Sequence, residues 1–401
     1  MLANLRWPMV FGACLLIASA AALAEKKYGP GVTDAEIKLG QTMPYSGSVS
    51  TAGTIGRTEL AYFAMINARG GVNGRKIRLL SLDDGFSPPK TVEQTRKLVE
   101  QEQVLAIFSS VGTAPNSAIH RYLNGRAVPH LFLSTGATKW GDPKNFPWTI
   151  GWLPSYQTES RIYARYLLSI RSNAKIGVLY QNDDYGKDYL KGLKDGLGDK
   201  ANLILMEASY EATDSTVDSQ LVALQASGAD TLFIFAGPKQ AAQAIRKAYD
   251  IGWRASVFLN NVSASVATVL GPARLERSVG IMTALYMKDP TDPQWTKDKG
   301  FQDWLAFMKK WYPEGSTEEL YNVWGYSIAQ TMVQVIKQCG EDLTRENLMR
   351  QAANLHDLEL PMLLPGIRLN TSPTDFFAIK QLQLMRFDGK TWVRSGELVS
   401  R

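Results

Sequence analysis

Strand-like and helix-like stretches take turns along this chain, and after a break the alternation starts again. That repetition constrains the fold more than any single motif. The run EIKLGQT (36–42) reads as a strand, and residues 53–67 follow as an amphipathic helix with Leu60, Phe63, Ala64 and Ile66 on its apolar face. Turn residues GGVNGRK (70–76) close that helix. The strand IRLLSLD (77–83), a helix over 90–102, the strand VLAIFSS (104–110), a helix over 114–124 and the strand PHLFLST (129–135) come next. Past KNFPWTIGWLP (144–154) the pattern restarts with a helix over 157–171, the strand KIGVLYQ (175–181) and a helix over 185–197. It continues through NLILMEA (202–208), a helix over 215–227, DTLFIFAG (230–237), a helix over 239–250 and SVFLN (256–260). Such alternation means a parallel sheet flanked by helices. Two series of it predict an α/β protein of two doubly wound, Rossmann-like lobes.

The remaining segments connect the lobes. MKDPTDPQW (287–295) is turn-rich and precedes helical patterns over 296–311 and 319–338; a stretch around 358–366 with Pro and Gly leads to a last strand within AIKQLQLMRF (378–387). Three crossings follow, with residues 25–155 plus 283–358 forming one lobe and 156–282 plus 359–401 the other. The 401 residues exceed the usual size of a single core and fit this division. Residues 1–24 read as a cleaved secretory signal: Arg6, an apolar run from Val10 to Ala24, and the small-residue site Ala22-Leu23-Ala24. Cys14 does not suit a lipid-anchored precursor, because the apolar run continues past it and Phe11 stands three residues before it. Cys339 is then the one cysteine left, which excludes an internal disulfide framework. The net charge of +6 is spread without runs of like charge, which argues against a nucleic-acid partner.

Open parallel sheets bind ligands at the carboxyl ends of their strands. This chain places Met43-Pro44-Tyr45-Ser46-Gly47-Ser48, Ser109-Ser110-Val111-Gly112-Thr113 and Ser134-Thr135-Gly136-Ala137-Thr138 after first-lobe strands. Each stands before a helix, where free amides and the helix dipole favour an anion. Each is equally the composition of an ordinary N-cap. The second lobe offers Asn182-Asp183-Asp184-Tyr185-Gly186, Gly237-Pro238 and Asn260-Asn261-Val262-Ser263. Tyr185 at a helix start points into whatever separates the lobes.

The segments EIKLGQTMPYSGSVSTAG, INARGGVNGRKIRLLSLDD, KIGVLYQNDDYGKDYLKGLKDGL and FAGPKQAAQAIRKAYDIGW resemble the branched-chain amino-acid-binding family of periplasmic substrate-binding proteins, which serve ATP-binding-cassette (ABC) importers. The resemblance spans essentially the whole mature chain. It implies the type I periplasmic binding protein fold, a monomer in the periplasm, a small carboxylate-bearing ligand, a membrane permease as partner, no cofactor and no metal. It places Ser110, Gly112 or Thr113, and the loop Gly136, Ala137 and Thr138, on the ligand carboxylate, with Tyr185 covering the ligand. Three departures stand out. Asn261 takes the place of the acidic residue that holds an ammonium, Gly237 and Ala52 take the places of tyrosines, and Phe86 stands where one of a cysteine pair is found. An aromatic or branched organic acid is therefore expected, lined by Tyr45, Tyr185 and Trp152; an aliphatic amino acid is the alternative if Asp183 or Asp184 turns inward. A sensor acting on a separate receptor is a further alternative. An enzyme has little support, since His120, His130 and His356 lie far apart and no nucleophile, zinc or phosphate-loop motif occurs.

Overall fold

A computed structural model describes residues 26–400; the signal segment 1–24, with Cys14, lies outside the described residues. In chain order the strands are β1 (Lys27–Tyr28), β2 (Glu36–Met43), β3 (Lys76–Asp83), β4 (Ala106–Phe108), β5 (His130–Leu133), β6 (Thr149–Gly151), β7 (Ile176–Gln181), β8 (Ile204–Tyr210), β9 (Thr231–Phe235), β10 (Ser256–Leu259), β11 (Met282–Leu285), β12 (Asp342–Leu343), β13 (Gln381–Phe387) and β14 (Trp392–Ser400). The helices are α1 (Gly53–Ala68), α2 (Pro88–Arg96), α3 (Thr113–Gly125), α4 (Tyr156–Ile170), α5 (Asp184–Leu197), α6 (Asp218–Ala226), α7 (Pro238–Asp250), the single turn α8 (Gly271–Ala273), α9 (Lys299–Trp311), α10 (Leu320–Cys339) and α11 (Arg345–Ala352).

The first sheet has the order β3-β2-β4-β5-β6 with every pair parallel. The second has the order β14-β13-β11-β10-β9-β7-β8, parallel from β8 to β11 and antiparallel where β13 and β14 are added. Both are doubly wound, and each reverses its strand order next to its first long strand, β2 in one lobe and β7 in the other. Those two switch points open a crevice beyond the strand ends. Central strands are buried on both faces, as parallel sheets covered by helices require: Ile37, Leu39, Ile107 and Phe108 in one lobe, Val178, Leu179, Phe233 and Phe235 in the other, are fully enclosed.

The chain crosses between the sheets after β6, after β11 and in the long connection before β13. The first crossing is fixed by Trp152, which is fully buried and donates its indole N–H to Thr331 Oγ1 at 3.0 Å. After the second, α10 returns to the first lobe and lies on α1. Gly325 permits that approach, because a Cβ there would stand 2.5 Å from the Ile55 carbonyl oxygen. Thr58 adds a hydrogen bond to Asn322 Oδ1 at 2.7 Å.

Several elements differ from the reading of the sequence. The segment 144–154, taken as a crossing alone, contains β6. Strand β11 was not anticipated, and it keeps the chain in the second sheet to Leu285 rather than ending that lobe at 282. Strand β14 forms an edge hairpin with β13, and α11 packs beside α10. The expected strand 104–110 is shorter, because Ser109 turns to φ 51°. No helix among the described residues is long and apolar enough to cross a membrane.

Candidate ligand-binding cleft

Helices α4 and α5 start on side-chain caps: Ser155 accepts from the Thr158 amide, and Asp183 accepts from those of Tyr185 and Gly186. Helices α3 and α7 do not. Each begins after a glycine, Gly112 and Gly237, with no side chain capping its first turn. One belongs to each lobe, and both face the same cavity of about 100 Å³ between the sheets, lined by Gly112 and Thr113 on one side and by Gly237, Pro238, Lys239 and Gln240 on the other. Their unclaimed first-turn amides and dipoles give the space a positive character.

The remaining walls are mainly apolar and aromatic, with Ser48, Thr51, Ser134 and Gln181 as their polar members. Val49, Ala52, Ile55 and Phe86 line the first-lobe side; Tyr156, Tyr185 and Val262 line the second, with Tyr321 and Trp324 from α10. Phe86 lies over Gly112, where a Cβ would stand 2.3 Å from its ring, and both hold positive φ, 60° and 94°. Glycine adopts such a φ freely, but Phe86 does so under strain, and strained backbone of that kind concentrates at ligand sites. Tyr156 stacks on Tyr189 with centroids 4.4 Å apart and meets Tyr185 edge-on at 5.2 Å. The Tyr185 hydroxyl is occupied: it accepts from Asn260 Nδ2 at 2.6 Å and donates to the Ala236 carbonyl at 3.0 Å, so the ring is what it offers the cavity. Tyr321 spans the two lobes, donating to the Val262 carbonyl at 3.0 Å.

Behind this wall Glu159 is fully buried. It accepts from the hydroxyls of Tyr163 at 2.6 Å and Tyr189 at 2.8 Å, and from the Asn261 amide at 2.7 Å. Burial pushes its carboxyl up to about 7 against those three bonds. Within the lining, Lys239 is the one charged side chain; it is exposed, and there is no carboxylate.

The expected site residues are distributed unevenly. Gly112, Thr113, Tyr185 and Gly237 line the cavity, as does Ala52. Ser110 does not: it is buried among strand ends, its Oγ accepting from the Thr42 amide at 3.2 Å and from the Thr42 hydroxyl at 3.0 Å. Gly136 and Ala137 stand together in a separate small crevice with Phe376 and Phe377. Thr138 faces the other lobe, donating its amide at 2.8 Å and its hydroxyl at 2.9 Å to Asp188 Oδ2. Asn261 sits beneath Val262 with its amide on Glu159, and its buried Nδ2 has no hydrogen-bond partner. Trp152 belongs to the crossing, and Tyr45 bonds Ser81 Oγ at 2.6 Å, so neither lines the cavity.

Asp183 is engaged in capping and accepts from Gln181 Nε2 at 2.7 Å. Asp184 turns to the first lobe, pairing with Lys139 at 2.6 Å, the contact that chiefly lowers its carboxyl. Tyr156, Gln181, Lys239, Tyr321 and Trp324 line the cavity although the sequence reading does not name them, and Phe86, named there only as a departure at a cysteine position, lines it too. For Lys239 the helix-start sequence GPKQ after a strand was an available signal; for Trp324, contributed from a distant helix, there was none. Among the described residues no group of three His, Cys, Asp or Glu side chains is placed to hold a metal ion. His130 is fully buried on Asn116 Oδ1 and His120 packs against Trp140 and Phe146, so both serve the core.

Two doubly wound lobes with an aromatic cavity between their switch points define a two-lobed α/β solute-binding protein. The periplasmic binding protein family model matches residues 36–391, and the chain belongs to that family, whose members bind solutes and are not enzymes. A Leu/Ile/Val-binding protein homolog 1 from Brucella suis is 25% identical over 82% of this chain and 85% of its own length. A branched-chain amino acid ABC transporter protein from Thermus thermophilus with bound valine superposes with a TM-score of 0.82 at 15% identity, covering 92% of this chain and 98% of that one. A solute-binding protein of an ABC transporter from R. palustris, in complex with benzoate, gives 0.74 at 20% identity, covering 91% and 98%. These likenesses establish the type I periplasmic binding protein fold.

Proposed function

We propose that this chain is the extracytoplasmic solute-binding component of an ABC importer, acting in the periplasm after loss of residues 1–24. It closes its lobes on a small carboxylate with an apolar or aromatic body and delivers it to a membrane permease. The observation that carries this reading is the pair of uncapped helix starts, α3 and α7, facing one cavity that contains a lysine and no carboxylate. An anion fits such a lining. An α-ammonium does not, because a desolvated cation without an anionic partner costs several kcal/mol. Asp183 and Asp184, which could supply that partner, are engaged elsewhere. The fold accommodates both kinds of solute, since the two structures above carry valine and benzoate.

A thermal-shift screen of the mature protein against aryl and branched carboxylates, aliphatic amino acids and amides tests the proposal. A ligand at about 100 times its Kd raises stability by roughly 2.7 kcal/mol. Stabilisation by leucine, isoleucine or valine, with none by the corresponding acids lacking the amino group, refutes it. Small-angle scattering on the ligand found should show compaction, because both lobes touch the ligand only when closed.

A further inference from the structure

A cavity of about 490 Å³ opens at the opposite end of the second sheet from the cleft, where β10 and β11 begin. Ile245, Ala248, Phe258 and Met282, all buried, contribute its floor. Its rim is unusual for a solvent-facing surface. Of the seven large hydrophobic side chains found exposed among the described residues, Ile170, Tyr249 and Val279 line this one cavity. Concentrated exposed apolar area of this kind marks a binding surface more often than isolated residues do.

The charged groups around it are mostly of one sign: Arg254, Arg277 and Arg386 against Glu276. The guanidiniums of Arg254 and Arg277 stand 4.9 and 5.1 Å from the Tyr249 ring centroid. Arg277 is neutralised by Asp250 at 2.9 Å. Arg254 and Arg386 have no ion pair among the described residues. The dipole at the end of α7 attracts cations and accounts for Arg254 and Arg277. It does not account for Arg386, which arrives on β13 and lies against Gly280. Guanidiniums without carboxylate partners beside an apolar floor match a carboxylate with a hydrocarbon body, and the volume is that of a small-ligand pocket.

We propose that this cavity is a second ligand site, separate from the cleft, for a small amphipathic anion carrying one acyl or aryl body and one carboxylate. Arg254 and Arg386 take the carboxylate, and the floor takes the body. The site does not depend on what the cleft binds.

Hydrogen-exchange mass spectrometry of the mature protein, with sodium octanoate as probe and 1-octanol as the uncharged control, locates binding directly. Octanoate should protect peptides covering 245–258 and 276–282, and octanol should protect them less. The double variant Arg254→Gln, Arg386→Gln should weaken that protection about tenfold or more in octanoate concentration. Both side chains are exposed, and unchanged exchange in the rest of the chain will report that the variant is folded; Arg254→Lys, Arg386→Lys should retain part of the affinity. Protection confined to cleft peptides covering 109–116 and 236–241, no protection anywhere, or equal protection in the double variant overturns the proposal. Failure of octanoate to enter the cleft bears on the cleft's specificity alone.

Discussion

Removing the Asp188 carboxylate separates a closing contact from a permanent one. Its Oδ2 accepts two hydrogen bonds from Thr138 across the lobe boundary, while Oδ1 accepts one from Gln157 Nε2 at 2.7 Å in its own lobe. Asp188→Ala takes away the acceptor for both interlobe donors. Hydrogen bonds to a charged group contribute about 1.5–3 kcal/mol. If they form only on closure, the closed population of the free protein falls by roughly ten- to a hundredfold, and the apparent affinity falls with it when the free protein is mostly open. The unliganded melting temperature should then fall by no more than the loss of the Gln157 bond inside the second lobe accounts for, because the open state never had the two interlobe bonds. Lys139→Met provides the contrast. It removes the partly exposed pair with Asp184, whose kind contributes about 0.2–1 kcal/mol, so its effect should stay within about fivefold. Calorimetric titration with the carboxylate returned by the thermal-shift screen, beside melting curves of the free variants, reads both quantities. Should Asp188→Ala lower the free protein's melting temperature by several degrees and leave affinity untouched, the contact is a fixed brace and the reasoning fails.

Other expectations follow from the cleft and the carboxyl behind it. Glu159 titrates at about 7 when folded, against a reference value of 4.5, so between those values the folded state holds a proton that the unfolded chain has lost. Its contribution to stability therefore falls as pH rises from about 4.5 to about 7, by on the order of 3 kcal/mol. Glu159→Gln should remove that slope, and urea denaturation of both proteins at about pH 5 and pH 8 should show the variant gaining on the parent at the higher pH; parallel curves would count against the burial argument. Gly112→Ala should abolish ligand binding and destabilise the fold by about 1–3 kcal/mol, because it places a Cβ against Phe86 at a positive φ; adding Phe86→Ala should recover part of the stability, and no recovery would mean the backbone alone is responsible. Lys239→Gln should weaken carboxylate binding about tenfold and flatten its salt dependence, whereas an unchanged dependence on ionic strength would show that the lysine never reaches the ligand.

The sequence made the architecture legible because parallel strands buried on both faces leave continuous apolar runs, and IGVLYQ and TLFIF are unmistakable in that sense. Its silences have physical causes. Strand β14, WVRSGELVS, is an edge strand half open to solvent, so its composition is mixed; yet the DG in FDGKTW was a hairpin signal, and Asp388 indeed holds that turn through the Lys390 and Thr391 amides. Strand β11 is four residues long, and nothing in MTAL distinguishes it from a helix.

The site was harder to read because a hydroxyl at a strand end is chemically versatile. It can face a ligand, a neighbouring strand or the opposite lobe, and composition does not say which. Thr113, Ser110 and Thr138 were grouped by one argument, and the three meet three fates: the cleft, Thr42 and Asp188. Glycine is less ambiguous. Where Gly112 and Gly237 replace the usual capping side chain, the helix start is left without an internal acceptor, and its amides remain available to something from outside. An uncapped start is not enough alone, since α2 and α6 also lack a side-chain cap; what sets α3 and α7 apart is that both face one cavity. On the proposed reading, backbone amides take the carboxylate, which amino acids and simple organic acids share, so selection between them would fall to the rest of the lining. That lining holds Lys239 and no carboxylate, and on the same reading this is what turns the cleft from amino acids toward simple organic acids.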